Sequence, residues 1–194
     1  MEFQIFAIIL MLTFYGCYFG KMVVQKKNGI QTDQLGKGKK GFAKGVEITV
    51  KAASIVVPVL EVISIFRNTS SLPSGARYSG AVLAAFGLLA FVCSVITMGD
   101  SWRAGVPEDV QTKLVTRGIY QISRNPAFLG FDLMYFGIGM MFFNWILCVA
   151  SAFTVLMFHL QIVNVEEDFL LDAFGDEYLA YRKQVNRYLG RKRK

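Results

Sequence analysis

Residue types that suit a small charged molecule occur at two places in the second half of the chain. The first is RGIYQISRNPAFLG, residues 117–130, where Arg124 precedes an Asn-Pro step. Asn125 can cap a helix through its side-chain oxygen, and Pro126 suits the first helical position, which needs no N–H donor. A helix start presents free N–H groups that suit a carboxylate, and Arg124 adds a bidentate donor. The segment predicts an anion-binding helix start; the alternative is interfacial anchoring by arginine and tyrosine.

The second place is the adjacent pair Glu166 and Glu167, which follows a long apolar run. Carboxylates at the end of a membrane helix are costly unless they have a partner or a task. A carboxylate here could accept hydrogen bonds from ribose hydroxyls or face a sulfonium cation; the alternative is a solvated helix end. Asp132, one turn into the preceding apolar segment, is a third candidate, and we expect it to pair with a basic residue.

The segment after the glutamates is predicted to form two amphipathic helices. Apolar residues recur at helical spacing up to Phe174, Gly175 indicates a helix end, and Asp176 suits the next N-cap. Tyr178 and Tyr181 then lie on one face of the second helix. This pattern predicts a helix pair folded against the membrane surface, with a packed aromatic stripe as the simpler interpretation of the tyrosines.

Long apolar runs must position these residues, and they predict five membrane-spanning helices. The chain of 194 residues is 54% hydrophobic and only 18% charged, which is typical of membrane proteins. A bilayer core needs about 20 apolar residues per helix, and such runs cover 3–20, 46–66 and 79–98. The run 127–163 is too long for one helix and predicts a tight hairpin that turns near Asn144. The predicted fold class is therefore an all-α integral membrane protein with cytoplasmic C-terminal helices.

The basic residues predict an orientation in the membrane. They concentrate in 21–45, 99–126 and 182–194, whereas the loop 67–78 carries only two arginines. Cations accumulate on the cytoplasmic side, so we expect the N-terminus outside and the C-terminus inside. The net charge of +7 then faces anionic membrane lipids, and no nucleic-acid partner is expected. No cleavable signal peptide is expected, because no basic segment precedes the first apolar run.

Two other patterns predict no further site. The three cysteines and the single histidine lack the spacing of a disulfide framework or a zinc site, so no metal is expected. The motif GKGKKG, residues 36–41, matches a dinucleotide-binding fingerprint in letters only. It lies between two predicted membrane helices with no strand before it, which favours a flexible basic loop.

The segment 99–185 resembles the isoprenylcysteine carboxyl methyltransferase family and the related membrane phospholipid methyltransferases. The resemblance rests on four motifs in a fixed order: LVTRGIY at 114–120, RNPAFLG at 124–130, the glutamate pair, and FGDEYLAY at 174–181. The chain length and the five-span plan are similar to those of a small prokaryotic member. The membrane would then be the cell membrane in a prokaryote or the endoplasmic reticulum in a eukaryote.

The resemblance implies a methyltransferase that uses S-adenosylmethionine, releases S-adenosylhomocysteine, and methylates an isoprenylcysteine carboxylate or another lipid taken from the bilayer. It implies a membrane part, 1–98, and a catalytic part, 99–194. In the catalytic part, the loop 99–126, the hairpin 127–163 and the helices 164–190 would enclose the cofactor. The expected catalytic residues are Arg124, Glu166 and Glu167. The expected cofactor-binding residues are Lys113, Leu114, Val115, Gly118, Tyr120, Asn125, Pro126, Ala127, Phe128, Leu129, Glu167, Tyr178 and Tyr181.

Four departures from the family pattern bear on the methyl acceptor. Asn125 and Phe128 stand where the family has histidine and tyrosine, and Thr112 stands where a histidine often precedes the Leu-Val step. Ile162 stands where the prenylcysteine enzymes carry an arginine for the substrate carboxylate. A carboxylate or thiolate acceptor would need no general base, whereas an amine acceptor would need one, with Glu166 or Asp132 as candidates.

Two alternatives remain at the level of sequence. An NADPH-dependent sterol-type membrane reductase shares the basic-x-Pro helix start and a similar tyrosine-containing ending, but the adjacent glutamates favour the methyltransferases. A non-catalytic membrane transporter subunit would be expected to show internal repeats and paired polar residues near the middle of the bilayer. The oligomeric state is left open by all three readings.

Overall fold

The computed structural model describes residues 1–106 and 113–192, and over these ranges the chain is built from helices. Two short 3₁₀ turns, Gly99–Ser101 and Gly118–Gln121, precede the fourth α-helix, and a π-helical turn, Ile162–Glu166, connects the last two. The α-helices are α1 Glu2–Lys27, α2 Gly41–Arg67, α3 Ser74–Met98, α4 Pro126–Met141, α5 Trp145–Gln161 and α6 Glu167–Gln184. The all-α class predicted from the sequence is confirmed. Thr112 and part of the expected loop 99–126 lie outside the described residues.

Four helical segments are long and apolar enough to cross a membrane: α1, α2, α3 with the turn after it, and the continuous segment that begins with α5. The fifth apolar helix, α4, has 16 residues. At 1.5 Å per residue it is about 24 Å long, which is shorter than a hydrocarbon core of about 30 Å. α1 and α4 begin within one residue of the predicted runs, whereas α2 and α3 each begin five residues before them. α4 is the short member of the predicted hairpin.

Glycines let α3 and α4 pack backbone against backbone. Gly80 and Gly87 on α3 face Gly137 and Gly130 on α4. A Cβ atom added at Gly137 would lie 2.5 Å from the backbone nitrogen of Ala84 and 2.6 Å from the carbonyl oxygen of Gly80. Only glycine fits at such a distance. This contact fixes the start of α4 relative to the end of α3, which is where the predicted site residues lie.

The turn between α4 and α5 forms at Asn144, as predicted. The Asn144 side chain accepts a hydrogen bond from the Leu147 backbone N–H at 2.9 Å and so caps α5. Its Nδ2 atom donates to the hydroxyl of Ser64 in α2 at 2.8 Å. The hairpin is therefore tied to the far end of α2.

The basic loop between α1 and α2 is held against the segment that follows α3. Gln25 donates from Nε2 to the Trp102 carbonyl at 2.9 Å and accepts from the Thr32 hydroxyl at 2.6 Å. The Ala104 backbone N–H donates to the Thr32 carbonyl at 3.0 Å. These bonds bring the N-terminal helices into contact with residues 102–106, which line the cavities described below.

Asp132 has no basic partner among the described residues, so the expectation of an ion pair is wrong. Its side chain is buried in α4, and its Oδ1 atom has no hydrogen-bond partner there. The neighbouring residues of α4, from 127 to 134, are apolar apart from Asp132 itself, so no cation on the same stretch of helix lies near it. Asp132 is therefore not joined to the charged groups at the start of α4.

Candidate functional site

A cavity of about 130 Å³ opens where the segment after α3, the start of α4 and the first turns of α6 meet. Most of the residues predicted from the sequence line it: Lys113, Leu114, Val115, Tyr120, Arg124, Asn125, Ala127, Phe128, Glu166 and Tyr181. Residues from three separate segments of the chain therefore converge on one space. We call it the polar cavity, because a carboxylate and two arginines line it together with apolar side chains.

Five predicted residues do not line the polar cavity. Gly118 has a φ of +59° and begins the 3₁₀ turn Gly118–Gln121, and Pro126 occupies the first position of α4. Leu129 follows on α4, and its backbone N–H donates to the Asn125 carbonyl at 3.1 Å. Glu167 and Tyr178 lie behind the cavity wall in a cluster with arginines. These five residues shape the cavity without facing into it.

Glu167 is the centre of an arginine cluster. Arg187 donates to both of its carboxylate oxygens, from Nε at 2.7 Å and from Nη2 at 3.0 Å. Arg124 lies 2.9 Å from Oε1, and Arg182 lies 3.8 Å from Oε2. Only 6% of the Glu167 side chain is exposed, so this carboxylate is already neutralised by the protein. The hydrogen bond to Glu167 also raises the pKa of Arg187, which keeps the pair charged.

Arg124 connects this cluster to the tyrosines of α6. Its Nη1 atom donates to the Tyr178 hydroxyl at 2.6 Å, and both side chains are buried. Tyr178 and Tyr181 pack with Val185 in one apolar cluster. The tyrosine stripe is therefore part of the packing between α6 and the start of α4, and Tyr181 also reaches the cavity wall.

Glu166 is the carboxylate that faces the polar cavity. Its hydrogen-bond partner among the described residues is Gln161, whose Nε2 atom lies 3.4 Å from Oε1. The π-helical turn Ile162–Glu166 holds Glu166 at its end and places Glu167 at the start of α6. Successive residues of a helix point about 100° apart. This turn therefore directs one glutamate to the cavity and the next to the arginines, a difference that the two identical letters do not reveal.

Tyr120 fixes the wall between α3 and α6. Its hydroxyl shares a hydrogen bond of 2.7 Å with the Ser94 hydroxyl, and its carbonyl accepts from the Tyr181 hydroxyl at 2.6 Å. Burial raises the pKa of Tyr120, so the phenol stays neutral near pH 7. Tyr120 can therefore offer a ring surface and a neutral hydroxyl to the cavity, but no charge.

The predicted side-chain cap by Asn125 is wrong. No capping hydrogen bond forms, and the Asn125 Nδ2 atom instead donates to the carbonyl of Arg187 at 3.1 Å. The Arg124 backbone N–H likewise donates to the Asn186 carbonyl at 3.1 Å. The amide of Asn125 is taken up by the C-terminal segment 185–190, which docks beside the start of α4. The sequence carried no signal for this docking.

The sequence reasoning missed residues that line the polar cavity. Trp102 and Arg103 come from the segment after α3, and Phe169, Leu170 and Phe174 come from α6. The helical spacing of the last three predicts that they share one apolar face. The sequence does not reveal that this face is turned towards the cavity. Trp102 and Arg103 directly follow an apolar run, which by itself indicates only a membrane interface.

A second, apolar cavity of about 260 Å³ lies between the helices next to the first. Its walls include Tyr15 and Tyr18 of α1, Val50 of α2, and the rings of Phe131 and Phe158. The two cavities have five lining residues in common: Trp102, Arg103, Gly105, Ala127 and Phe128. A polar molecule in one cavity and an apolar chain in the other would therefore meet across this shared wall.

Comparison with known proteins identifies a matching family and several similar proteins. The family model described as phospholipid methyltransferase matches residues 76–177, just over half of the chain. Protein-S-isoprenylcysteine O-methyltransferase B of Arabidopsis thaliana is 34% identical over 94 residues, which cover 47% of this chain and 48% of the relative. The Homo sapiens protein-S-isoprenylcysteine O-methyltransferase is 33% identical over 110 residues, covering 55% and 38%.

The match to these relatives is partial. The Schizosaccharomyces pombe protein-S-isoprenylcysteine O-methyltransferase is 36% identical over 72 residues, which cover 37% of this chain and 30% of the relative. The chain thus spans about half the length of the Arabidopsis protein and less of the other two. The family match runs from the start of α3 into α6 and includes nearly all of the polar-cavity wall. From this match and from the four ordered motifs, the chain belongs to the phospholipid methyltransferase family.

Proposed function

We propose that this integral membrane protein transfers a methyl group from S-adenosylmethionine to a lipophilic acceptor at the cytoplasmic membrane face. The observation that carries the proposal is the pair of adjoining cavities, one polar and bordered by Glu166, the other apolar and set among the membrane helices. Lipidated substrates in the names of the relatives agree with this division. The bilayer delivers the acceptor, and the polar cavity takes the cofactor.

The polar cavity fits an adenosyl cofactor by its chemistry. Glu166 offers a carboxylate whose protein hydrogen bond is long, which leaves it able to accept from ribose hydroxyls or to attract an amino group. Leu114, Phe169 and Phe174 offer apolar surface for a flat purine ring. When bound, S-adenosylmethionine supplies an electrophilic methyl group on a sulfonium sulfur and leaves as S-adenosylhomocysteine.

The chain's own residues mainly align the reactants and exclude water. For a carboxylate acceptor, an oxygen atom forms the new C–O bond as the methyl–sulfur bond breaks, and the electron pair stays on sulfur. No proton moves in this step, so no general base is needed. Trp102 and Phe128 in the shared wall limit the access of water and fix the approach of the two reactants. For an amine acceptor, Glu166 is the nearest candidate base.

The placement in the membrane follows from the distribution of charge. We propose that α4 also crosses the membrane, which gives five crossings in total, with the N-terminus outside and the C-terminus cytoplasmic. The basic segments 21–45 and 182–192 then lie on the same side as the polar cavity, where they face anionic lipid headgroups. In this arrangement residues 1–98 form the membrane part, and the loop, hairpin and C-terminal helices from 99 onwards hold the cofactor.

Ligand-dependent stabilisation separates this proposal from its alternatives. The full chain is purified in detergent and its unfolding temperature is measured with S-adenosylhomocysteine and, separately, with NADPH. We expect the first ligand to raise the temperature and the second to leave it unchanged. Stabilisation by NADPH alone would instead favour a sterol-type reductase. Stabilisation by neither ligand would favour a non-catalytic transporter subunit.

A further inference from the structure

Gln161 is a buried amide in the wall of the apolar cavity, and only one end of it has a partner. It is the last residue of α5 and lines that cavity together with Phe158 of the same helix. Its Nε2 atom lies 3.4 Å from Oε1 of Glu166. An ionised carboxylate only accepts hydrogen bonds, so the donor end of the amide faces Glu166. The other end, Oε1, has no hydrogen-bond partner among the described residues.

A second buried glutamine, Gln25, shows the ordinary arrangement. Its Nε2 atom donates to the Trp102 carbonyl at 2.9 Å, and its Oε1 atom accepts from the Thr32 hydroxyl at 2.6 Å. Both glutamines are 0% exposed. The fold therefore satisfies the whole amide of Gln25 but only the donor end of Gln161. A buried acceptor without a donor is costly, and a ligand that brings a donor removes that cost.

The π-helical turn Ile162–Glu166 explains why Gln161 reaches Glu166. Residues five apart in an α-helix point about 140° away from each other, whereas a π-helical turn closes through bonds between residues five apart. Gln161 lines only the apolar cavity, and Glu166 lines only the polar cavity. Their hydrogen bond therefore connects the walls of the two cavities, and it leaves Oε1 of Gln161 for a molecule in the apolar cavity.

We infer that Gln161 accepts, at Oε1, a hydrogen bond from an N–H or O–H group of the methyl acceptor. The inference rests on the proposed function, because it places this group beside the cavity that takes the cofactor. The preferred acceptor is then a lipid with a hydrogen-bond donor near its reacting end. A lipid that has only hydrocarbon or an ether or ester oxygen at this point leaves the buried amide oxygen unpaired and is a poorer acceptor. Gln161 exchanges no proton in this role and acts as a specificity residue.

Two pairs of lipid acids that differ only in a donor group test the inference. N-dodecanoylglycine has an amide N–H where O-dodecanoylglycolate has an oxygen atom, and 3-hydroxytetradecanoate has a hydroxyl that tetradecanoate lacks. Calorimetry measures the binding of each acid to the detergent-purified full chain without cofactor, and the binding of S-adenosylhomocysteine separately. The affinity ratio within each pair is compared between variants, so that unequal partitioning of the acids into detergent cancels.

The variants are Gln161→Met, Gln161→Glu and, as a matched control, Gln184→Met at the exposed end of α6. We expect Gln161→Met, which has a side chain of similar length without the amide, to lower the ratio roughly tenfold in at least one pair. The pair that responds identifies the donor as N–H or O–H. Gln161→Glu should keep the ratio, because it keeps an oxygen acceptor and can share a proton with Glu166. Gln184→Met should behave as the wild type.

The wild-type ratio in both pairs of Gln161→Met would overturn the inference. So would a ratio that falls as far in Gln161→Glu as in Gln161→Met, because the glutamate keeps the acceptor atom. If Gln161→Met does not fold, Gln161→Asn takes its place, since it withdraws the amide by one carbon and should lower the ratio in the same way. Failure of S-adenosylhomocysteine to bind the wild type counts against the proposed function instead, because the ratios are measured without it.

Discussion

The adjacent residues Glu166 and Glu167 have different surroundings, and one substitution at each tests this difference. Glu166 faces the polar cavity, so Glu166→Gln removes the negative charge without changing the shape of the side chain. We expect S-adenosylhomocysteine to bind roughly tenfold more weakly or worse, by the usual value of a hydrogen bond to a charged group. The unfolding temperature without ligand should stay at the wild-type value. Calorimetry gives the affinity, and the exposed Glu177→Gln serves as the control.

Glu167→Gln should lower the stability of the fold itself, in contrast to Glu166→Gln. The Glu167 and Arg124 side chains are 6% and 5% exposed, and removing one member of a buried ion pair leaves the other charge uncompensated. Such a loss costs about 3–5 kcal/mol of the free energy of unfolding. Thermal unfolding of the variant without ligand should therefore begin well below the wild-type temperature. An unchanged temperature would show that the arginine cluster does not hold α6 in place.

The residue types of the site could be predicted from the sequence, but the directions in which their side chains point could not. Asn125, Pro126 and the glutamates lie at the cavity or beside it because the motif order brings their segments together. Asn125 does not cap α4, since its amide meets the carbonyl of Arg187 from a distant segment. Arg103 escaped notice because an arginine after an apolar run indicates only an interface. Its role as a shared-wall residue depends on how two separate cavities adjoin.

At the scale of elements, the contact between α3 and α4 depends on glycine at specific positions. Gly137 has no space for a Cβ atom, whereas a Cβ atom at Gly139, on the same helix, would meet nothing within 4 Å. We expect Gly137→Ala to lower the free energy of unfolding by about 1–3 kcal/mol, the usual cost of overpacking. Gly139→Ala should unfold at the wild-type temperature or slightly above it. Equal behaviour of the two variants would contradict the close packing of these helices.

The helices themselves follow from composition, and the breaks between them follow from single residues. The turn at Asn144 and the break at Gly175, where φ is +47°, were both predictable, because these residue types tolerate such geometry without help from the rest of the fold. The π-helical turn before Glu167 was not predictable. It adds one residue to a helical turn, and neither composition nor the spacing of apolar residues marks such an insertion.

At the scale of the whole molecule, α4 decides how often the chain crosses the membrane. If α4 crosses the membrane in addition to the four longer segments, the turn before Trp145 lies outside. We expect Trp145→Cys, at a position that is 73% exposed, to react with a membrane-impermeant maleimide in intact bacterial cells that carry the chain in their cell membrane. A cysteine at Lys27 should react only after lysis. Both variants are made in a background without Cys17, Cys93 and Cys148. Labelling of position 145 only after lysis would contradict the five-span arrangement.

The family match begins at residue 76, so the first two helices lie outside it. They nevertheless supply Tyr15, Tyr18 and Val50 to the apolar cavity. Sequence motifs could therefore predict the polar cavity, which the matched segment builds. They could not predict the apolar cavity, because its walls come from residues that look like ordinary membrane-helix composition until the helices are packed together.

Methyl transfer by the purified full chain tests the central claim most directly. S-adenosylmethionine with a tritiated methyl group is incubated with a lipid carboxylic acid, the farnesyl thioether of 3-mercaptopropanoate, and the lipid is extracted and counted. We predict that label enters the lipid as a base-labile methyl ester with wild-type protein and is lost with Glu166→Gln, whereas the exposed Glu177→Gln retains it. An absence of label in lipid acids, thiols and amines alike, from protein that shows no binding of S-adenosylhomocysteine, would contradict it.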